Sequence, residues 1–358
     1  MAVTVDCWIR ESVDQQPLPA QVGSSKCHWN SATSDSAVTE RLYRVTGEFI
    51  PNPRDAKSDR YVAWFDTVRD LEVSWDSFAR GLEHLNTHPD CAAVWLVSAN
   101  DPWSQLLYRN LPAPWASLCL TPSHPVQVLF RRGQLARAGA TTESTHPGWM
   151  AAAELWLRTE PIAAVLPQTE RWDQLPADRL PALTPTTRSG GQGAQYDWLQ
   201  THLATLARRE TPDLSDQAAL QAGVWQCQGE LDLSHRLAQE HEGQGTNQLC
   251  DYWHAIMHRR EPDYGNSKYW FRQLGRHPVF ALLSERAAEL LMRAAAHERV
   301  WERRLLRAGT WDPFGMVDLA EAAAEDPTLD PLARRLQSLE MCVLWEALLR
   351  QTQSTRAN

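Results

Sequence analysis

Apolar and polar positions follow two different rhythms along this chain. In the first half, short apolar runs such as "AAVWLV" (92–97) and "PVQVLF" (125–130) stand between Pro-rich turns and predict strands. "WDSFARGLEHL" (75–85), with Ser74 as its cap, and "PGWMAAAELWLR" (147–158) carry helical spacing instead. "PADRLPALTPTTRSGGQGAQ" (176–195) then breaks every apolar period. Beyond it the helical period takes over. A helix over 196–210 is followed by a long one over 215–241 that stops at "EGQG". A third is expected from a Thr246 cap to Glu261, because Pro262 disfavours helix at the residue before it. "KYWFRQLG" is expected to start at Asn266 or Ser267 and to end at Gly275. A helix over 277–309 has Pro in its first turn and closes on Gly309. "WDPFGMVDLAEAAAE" and "LDPLARRLQSLEMCVLWEALLRQ" each place Asp-Pro where an N-cap and first helical residue belong.

Seven helices joined by short loops predict an antiparallel array. The expected architecture is an α+β N-terminal domain (1–178), a Pro/Thr/Gly-rich linker (179–195) and an all-α C-terminal domain (196–358). A length of 358 residues accommodates two domains of about 150 residues each.

Composition narrows the function classes. The net charge of −9 is shared between the halves, so no basic face is expected and nucleic acid is not a predicted partner. The basic stretch "RVWERRLLR" (299–307) is interleaved with Glu and reads as a solvated face. No run approaches the roughly 18 apolar residues that span a bilayer, and the first residues have neither a basic nor an apolar leader segment. Neither a membrane nor secretion is expected. The seven Cys are scattered and form no C-x-x-C, which predicts a reducing cytoplasm rather than a disulfide framework or zinc ribbon. The 17 Trp follow no fixed period, so most are read as core or domain-interface anchors rather than a stacking platform.

Candidate chemistry concentrates in the helical half. His235, His241, His254, His258 and His277 all fall within 43 residues of one another. At about 100° per residue, His254, His258, Asp251 and Glu261 share one helix face. An i, i+4 His pair can offer two imidazoles to one metal ion, but the same face is also what any amphipathic surface helix shows. No H-E-x-x-H is present. His235 lies on a helix with two apolar faces, where a buried imidazole needs partners. If the two helices pack antiparallel, His235 meets His254 and His258. A carboxylate from Asp251, Glu261 or Asp263 would complete a site for zinc, iron or manganese.

Neighbouring residues have two readings each. Arg259 and Arg260 either pair with Glu261 and Asp263 or grip an anionic substrate. Tyr269 and Trp270 either line a pocket or fill the core. Lys268 is within reach of Asp263 for an ion pair, a local hydrogen bond accounts for His277, and Cys250 reads as a small buried residue. No phosphate loop and no G-x-S-x-G elbow are present.

"SHRLAQ" (234–239), "YWHAIMHRREPDYGNSKYWFRQLGRHPVF" (252–280) and "WDPFGMVDL" (311–319) resemble the signature blocks of an uncharacterised family of bacteria and fungi, whose motif reads WHAIMHRREPDYxNxKYWFRxxGxHPxF. The resemblance covers about residues 215–350. It implies that His235, Gln239, His254, His258, Glu261, Asp263, Asn266 and Arg272 occupy shared polar motif positions, and it brings no activity with it. Residues 1–180 carry no such resemblance.

Two functions follow. In the first, His235, His254 and His258 bind a divalent metal, and Glu261 or Asp263 is a ligand or general base. Arg259, Arg260, Arg272, Gln239 and Asn266 then hold a small anionic substrate that is hydrolysed. In the second, the same residues form a closed hydrogen-bond network in a non-catalytic scaffold or protein-binding module.

Overall fold

The computed structural model describes residues 3–10, 21–22, 25–26, 40–47, 61–66, 75–120, 127–131, 133–134, 148–167, 171–185, 194–245 and 247–357. These residues are mostly helical, and they fall into two compact units, Met1–Glu170 and Arg171–Asn358.

The first unit holds a six-stranded sheet. Its strands are β1 (Val3–Arg10), β2 (Glu40–Gly47), β3 (Tyr61–Asp66), β4 (Ala93–Leu96), β5 (Gln127–Arg131) and β6 (Ile162–Val165). Their order is β2-β1-β3-β5-β4-β6. Pairing is parallel at β1–β3 and β4–β6 and antiparallel elsewhere, so the sheet is mixed. Every residue of β4 and β5 is buried, as expected of strands covered on both faces. The helices of this unit are α1 (Trp75–Thr87), α2 (Pro102–Asn110), α3 (Ala113–Leu120) and α4 (Gly148–Leu157). Gly81 lets α1 lie close on the sheet: a Cβ there would come within 2.7 Å of Leu96 and Leu129 side chains.

The two strand runs and two helices expected in this half are present. Strands β1, β2, β3 and β6 and helices α2 and α3 were not anticipated. The signal for α2 was the Asp101-Pro102 pair, in which the Asp101 carboxylate accepts from the Trp103 and Ser104 amides. The expected Ser74 cap lies outside the described residues.

The second unit contains α5 (Ala194–Glu210), α6 (Leu214–Gln228), α7 (Leu231–Glu240), α8 (Leu249–Arg260), α9 (Tyr264–Leu274), α10 (Val279–Arg293), α11 (Glu302–Leu305), α12 (Pro313–Glu325) and α13 (Asp330–Ala357). A two-residue hairpin, Leu306–Arg307 with Thr310–Trp311, is its departure from an all-helical pattern.

Several boundaries correct the sequence reading. The expected 215–241 helix is two helices, because Gly229 takes a left-handed conformation (φ 76°) that caps α6. The expected 277–309 helix stops at Arg293, and the Glu298 carboxylate accepts from the Ala295 amide in the turn beyond. Helix α9 starts at Tyr264, capped by Asp263 rather than by Asn266 or Ser267. Asp312 caps α12 as expected, whereas α13 begins at Asp330 itself. Thr246 lies outside the described residues, and α8 begins after Gln248.

Part of the expected linker is packed structure. Leu180 is buried, as are Leu175 and Ala177 just before the linker. Arg335 donates to the Leu175 carbonyl, Arg334 to that of Leu180, and Gln337 and Arg260 to that of Ala182. Residues 186–193 lie outside the described set.

Helix α8 organises this unit. Every residue from Leu249 to Arg260 is buried, including two His and two Arg. The polar face legible in the sequence is therefore covered by neighbours and not bathed in solvent, which sets up the chemistry below.

Candidate metal centre

Three imidazoles converge. His235 on α7 and His254 and His258 on α8 can each offer one nitrogen such that all three lie within 4.8 Å of one another. Ring centroids of His235 are 4.8 Å from His254 and 5.3 Å from His258, and the two α8 rings stack at 4.8 Å. His254 and His258 are buried and His235 is half-buried, so the cluster opens toward α7.

Local structure explains the convergence. Gly229 turns the chain between α6 and α7, and the Asp251 carboxylate accepts from the Gly243 amide in the turn between α7 and α8. Asp251 is thereby committed to this turn, with burial raising its carboxyl above the usual range. His254 and His258 follow on the same face, one turn apart.

Helix α9 closes the other side. The Ser267 hydroxyl donates to the Ala255 carbonyl at 2.8 Å and seats α9 on α8. Trp270 then stacks on His254, with centroids 4.0 Å apart. The side-chain nitrogen of Asn266 lies 3.1 Å from His258 Nε2 and 3.4 Å from Nδ1. Between α8 and α9, Glu261 and Asp263 each bring a carboxylate oxygen to 3.9 Å from His258 Nδ1. Asp263 does double duty, since its other oxygen caps α9 by accepting from the Asn266 amide.

Burial dominates the electrostatics. It lowers the His254 imidazole to a pKa of about 3, with the neighbouring His258 and His235 adding to the shift. Burial and His235 lower His258 to about 4, and Asp263 partly opposes them. Both rings are consequently neutral near pH 7, with lone pairs free to accept a proton donor or bind a metal. His254 Nδ1 is buried without a hydrogen-bond partner, which a buried polar atom rarely tolerates.

Several other residues considered for the site have partners of their own. Arg259 and Arg260 pair with neither Glu261 nor Asp263, and they do not reach toward the imidazoles. Arg259 donates to Glu340 Oε2 at 2.5 Å, and Tyr252 donates to the other oxygen of that carboxylate at 2.9 Å. Arg260 donates to the Gln226 carbonyl and side chain and to Ala182. Each is 2% exposed, so neither can grip a substrate. Arg272 and Gln239 are exposed. Lys268 pairs with Asp318 at 2.7 Å rather than with Asp263. Tyr269 is 46% exposed, whereas Trp270 is buried. His277 accepts from the Val279 amide and donates to the Asn247 carbonyl, the local role expected of it. Cys250 is buried and its thiol is pushed up to about 12, mainly by burial, so it is no nucleophile. Glu340 had no place in the sequence reading, although a lone acid inside the apolar run "SLEMCVLW" (338–345) was a signal for a buried partner.

Compared with protein-family models, with curated proteins and with solved structures, the chain matches none.

Proposed function

We propose that this protein holds a divalent transition metal, zinc, iron or manganese, on His235, His254 and His258, and that the centre hydrolyses a small molecule. The observation that carries this reading is the approach of three imidazole nitrogens to within 4.8 Å of one another. Bonds of about 2.1 Å at tetrahedral angles need nitrogens roughly 3.4 Å apart, which small rotations of the three rings can reach. The donor set fits: imidazole suits these metals, and a neutral ring needs no proton loss to bind. When bound, such an ion would act as a Lewis acid and activate water.

The chain's own groups have separate roles. Trp270 fixes the plane of His254. Glu261 and Asp263 favour the His258 tautomer with its proton on Nδ1, leaving the Nε2 lone pair for the metal. Neither carboxylate joins the three-nitrogen group, so the three imidazoles would hold the ion and a water could complete a four-coordinate site. Glu261, 20% exposed, is the better placed general base. The family motif that residues 215–350 resemble would mark this same centre. The cytoplasmic setting inferred from the cysteines belongs to the same proposal. Among the described residues no helix is long and apolar enough to cross a membrane.

A scaffold reading is favoured by one contact, the Asn266 amide already beside His258 Nε2. Elemental analysis of the purified protein and of a His254→Ala/His258→Ala variant separates the two. About one equivalent of zinc, iron or manganese, absent from the variant, supports the metal centre. Protein that stays metal-free after reconstitution with each of the three leaves the hydrogen-bond network.

A further inference from the structure

Resting on that metal centre, we propose that its ligand is a small molecule bearing a primary ammonium group, and not the anion that the neighbouring arginines first suggest. The groups in place around the imidazoles are acidic and aromatic. Glu261 and Asp263 flank His258 at 3.9 Å, and the Asp263 side chain is 54% exposed at the mouth. On α9, Tyr269 is exposed and meets Trp270, the residue stacked on His254, edge-on at 5.6 Å. Carboxylates joined to aromatic faces are the surroundings that hold an ammonium ion.

Basic side chains near in sequence are directed or committed elsewhere. Arg259 and Arg260 are buried against Glu340 and Gln226. Lys268 is held by Asp318 and Glu321. Arg272 lies about 120° round α9 from Asn266, and Arg236 about 100° round α7 from His235. Glu261 and Asp263 would offset the charge of a dication on three neutral imidazoles, so the preference for an ammonium rests on where these two carboxylates stand and not on a net charge of the centre. An ammonium beside His258 would meet two carboxylates, and its alkyl body would reach toward the exposed Tyr269. The Nδ1 of His254, on a side chain 1% exposed, has no hydrogen-bond partner and so remains available to a ligand of the centre.

The test is calorimetric titration of the full-length, zinc-reconstituted protein with butylammonium and, separately, with inorganic phosphate. The Glu261→Gln/Asp263→Asn variant is titrated in parallel; Asn caps helices as well as Asp does, so α9 is retained. Butylammonium binding that weakens at least tenfold in the variant, compared at equal zinc occupancy, is the expected result. Phosphate binding tighter than butylammonium, or amine binding indifferent to the variant, overturns the proposal. Zinc content is read by elemental analysis on the same samples, so failure of the metal centre registers independently of ligand charge. If no zinc binds, the titrations are read on metal-free protein by the same criteria.

Discussion

Trp270 lies almost flat against His254, with ring centroids 4.0 Å apart and planes 25° from parallel. The indole is 8% exposed and comes from a different helix than the imidazole, so α9 sets the orientation of a ring anchored on α8. Stacking restricts rotation of His254 about its side-chain bonds, and Ser267 fixes the register that makes the stack possible. Trp270→Phe should keep the fold while loosening the imidazole. A tenfold loss of zinc affinity, the usual size for a group that orients a ligand, is expected in competition with a chromophoric chelator. Trp270→Ala should instead lower global stability by about 3–5 kcal/mol in urea unfolding, because it also opens a cavity. Unchanged affinity in Trp270→Phe would reduce the stack to packing.

The Arg259–Glu340 pair, with both side chains fully buried, makes a contrasting prediction. Glu340→Ala strands a guanidinium and leaves Tyr252 without its acceptor, so a loss of about 3–5 kcal/mol is expected. Replacing both partners together, Arg259→Met with Glu340→Leu, should recover most of that loss, since two buried charges cost nearly as much desolvation as their attraction returns. Chemical denaturation of the three proteins measures the difference. Zinc binding should survive in the double variant, since Arg259 is placed outside the centre; its loss would return Arg259 to the site.

Much of the helical unit and its candidate centre was legible in the chain. Asp312-Pro313 marked the start of α12, and the spacing of His254 and His258 put two imidazoles on one face, since both signals are local. What the sequence concealed was long-range or depended on φ. Gly229 in a left-handed conformation splits what period alone presents as one helix. Arg259 and Arg260 look like a solvent-facing basic pair beside Glu261, and only the distant Glu340 and Gln226 explain why both are buried. The unanticipated strands β1 to β3 pair across separations that no local pattern reveals. His235 joined the cluster for a reason the sequence did state: a short "EGQG" turn brings α7 back against α8.

Asp216 couples stability to pH. It lies in the first turn of α6, 3% exposed, and accepts from Gln351 on α13 at 2.5 Å; Gln351 in turn accepts from Asn247. Burial and the adjacent Asp213 raise its carboxyl to about 6. An unfolded aspartyl group titrates near 3.9, so between those values the folded state holds a proton that the unfolded chain has released. The contribution is fully present below about pH 4 and is lost as pH rises through 6. Asp216→Asn mimics the protonated form, so its melting temperature should exceed that of the parent at pH 7.5 and match it at pH 4. A gain that persists at pH 4 would indicate a packing effect instead.

Gly223 marks a tight point in the helical core. It lies on α6 between the indoles of Trp253 on α8 and Trp345 on α13, whose rings meet edge-on at 6.3 Å. A Cβ at this position would approach Trp345 to 2.8 Å and Trp253 to 2.9 Å, closer than carbon atoms pack. In an open helix, Gly→Ala stabilises by up to about 1 kcal/mol through backbone entropy. Here the methyl must displace two large rings that are themselves fully buried, so the sign reverses. Gly223→Ala should cost about 1–3 kcal/mol in equilibrium unfolding. The Trp253 backbone shares helix α8 with His254, so the displacement is one residue from the imidazole cluster. Zinc affinity should therefore fall together with stability in Gly223→Ala. In Asp216→Asn it should stay level, and measuring both variants under one protocol distinguishes a disturbance of α8 from a general loss of fold.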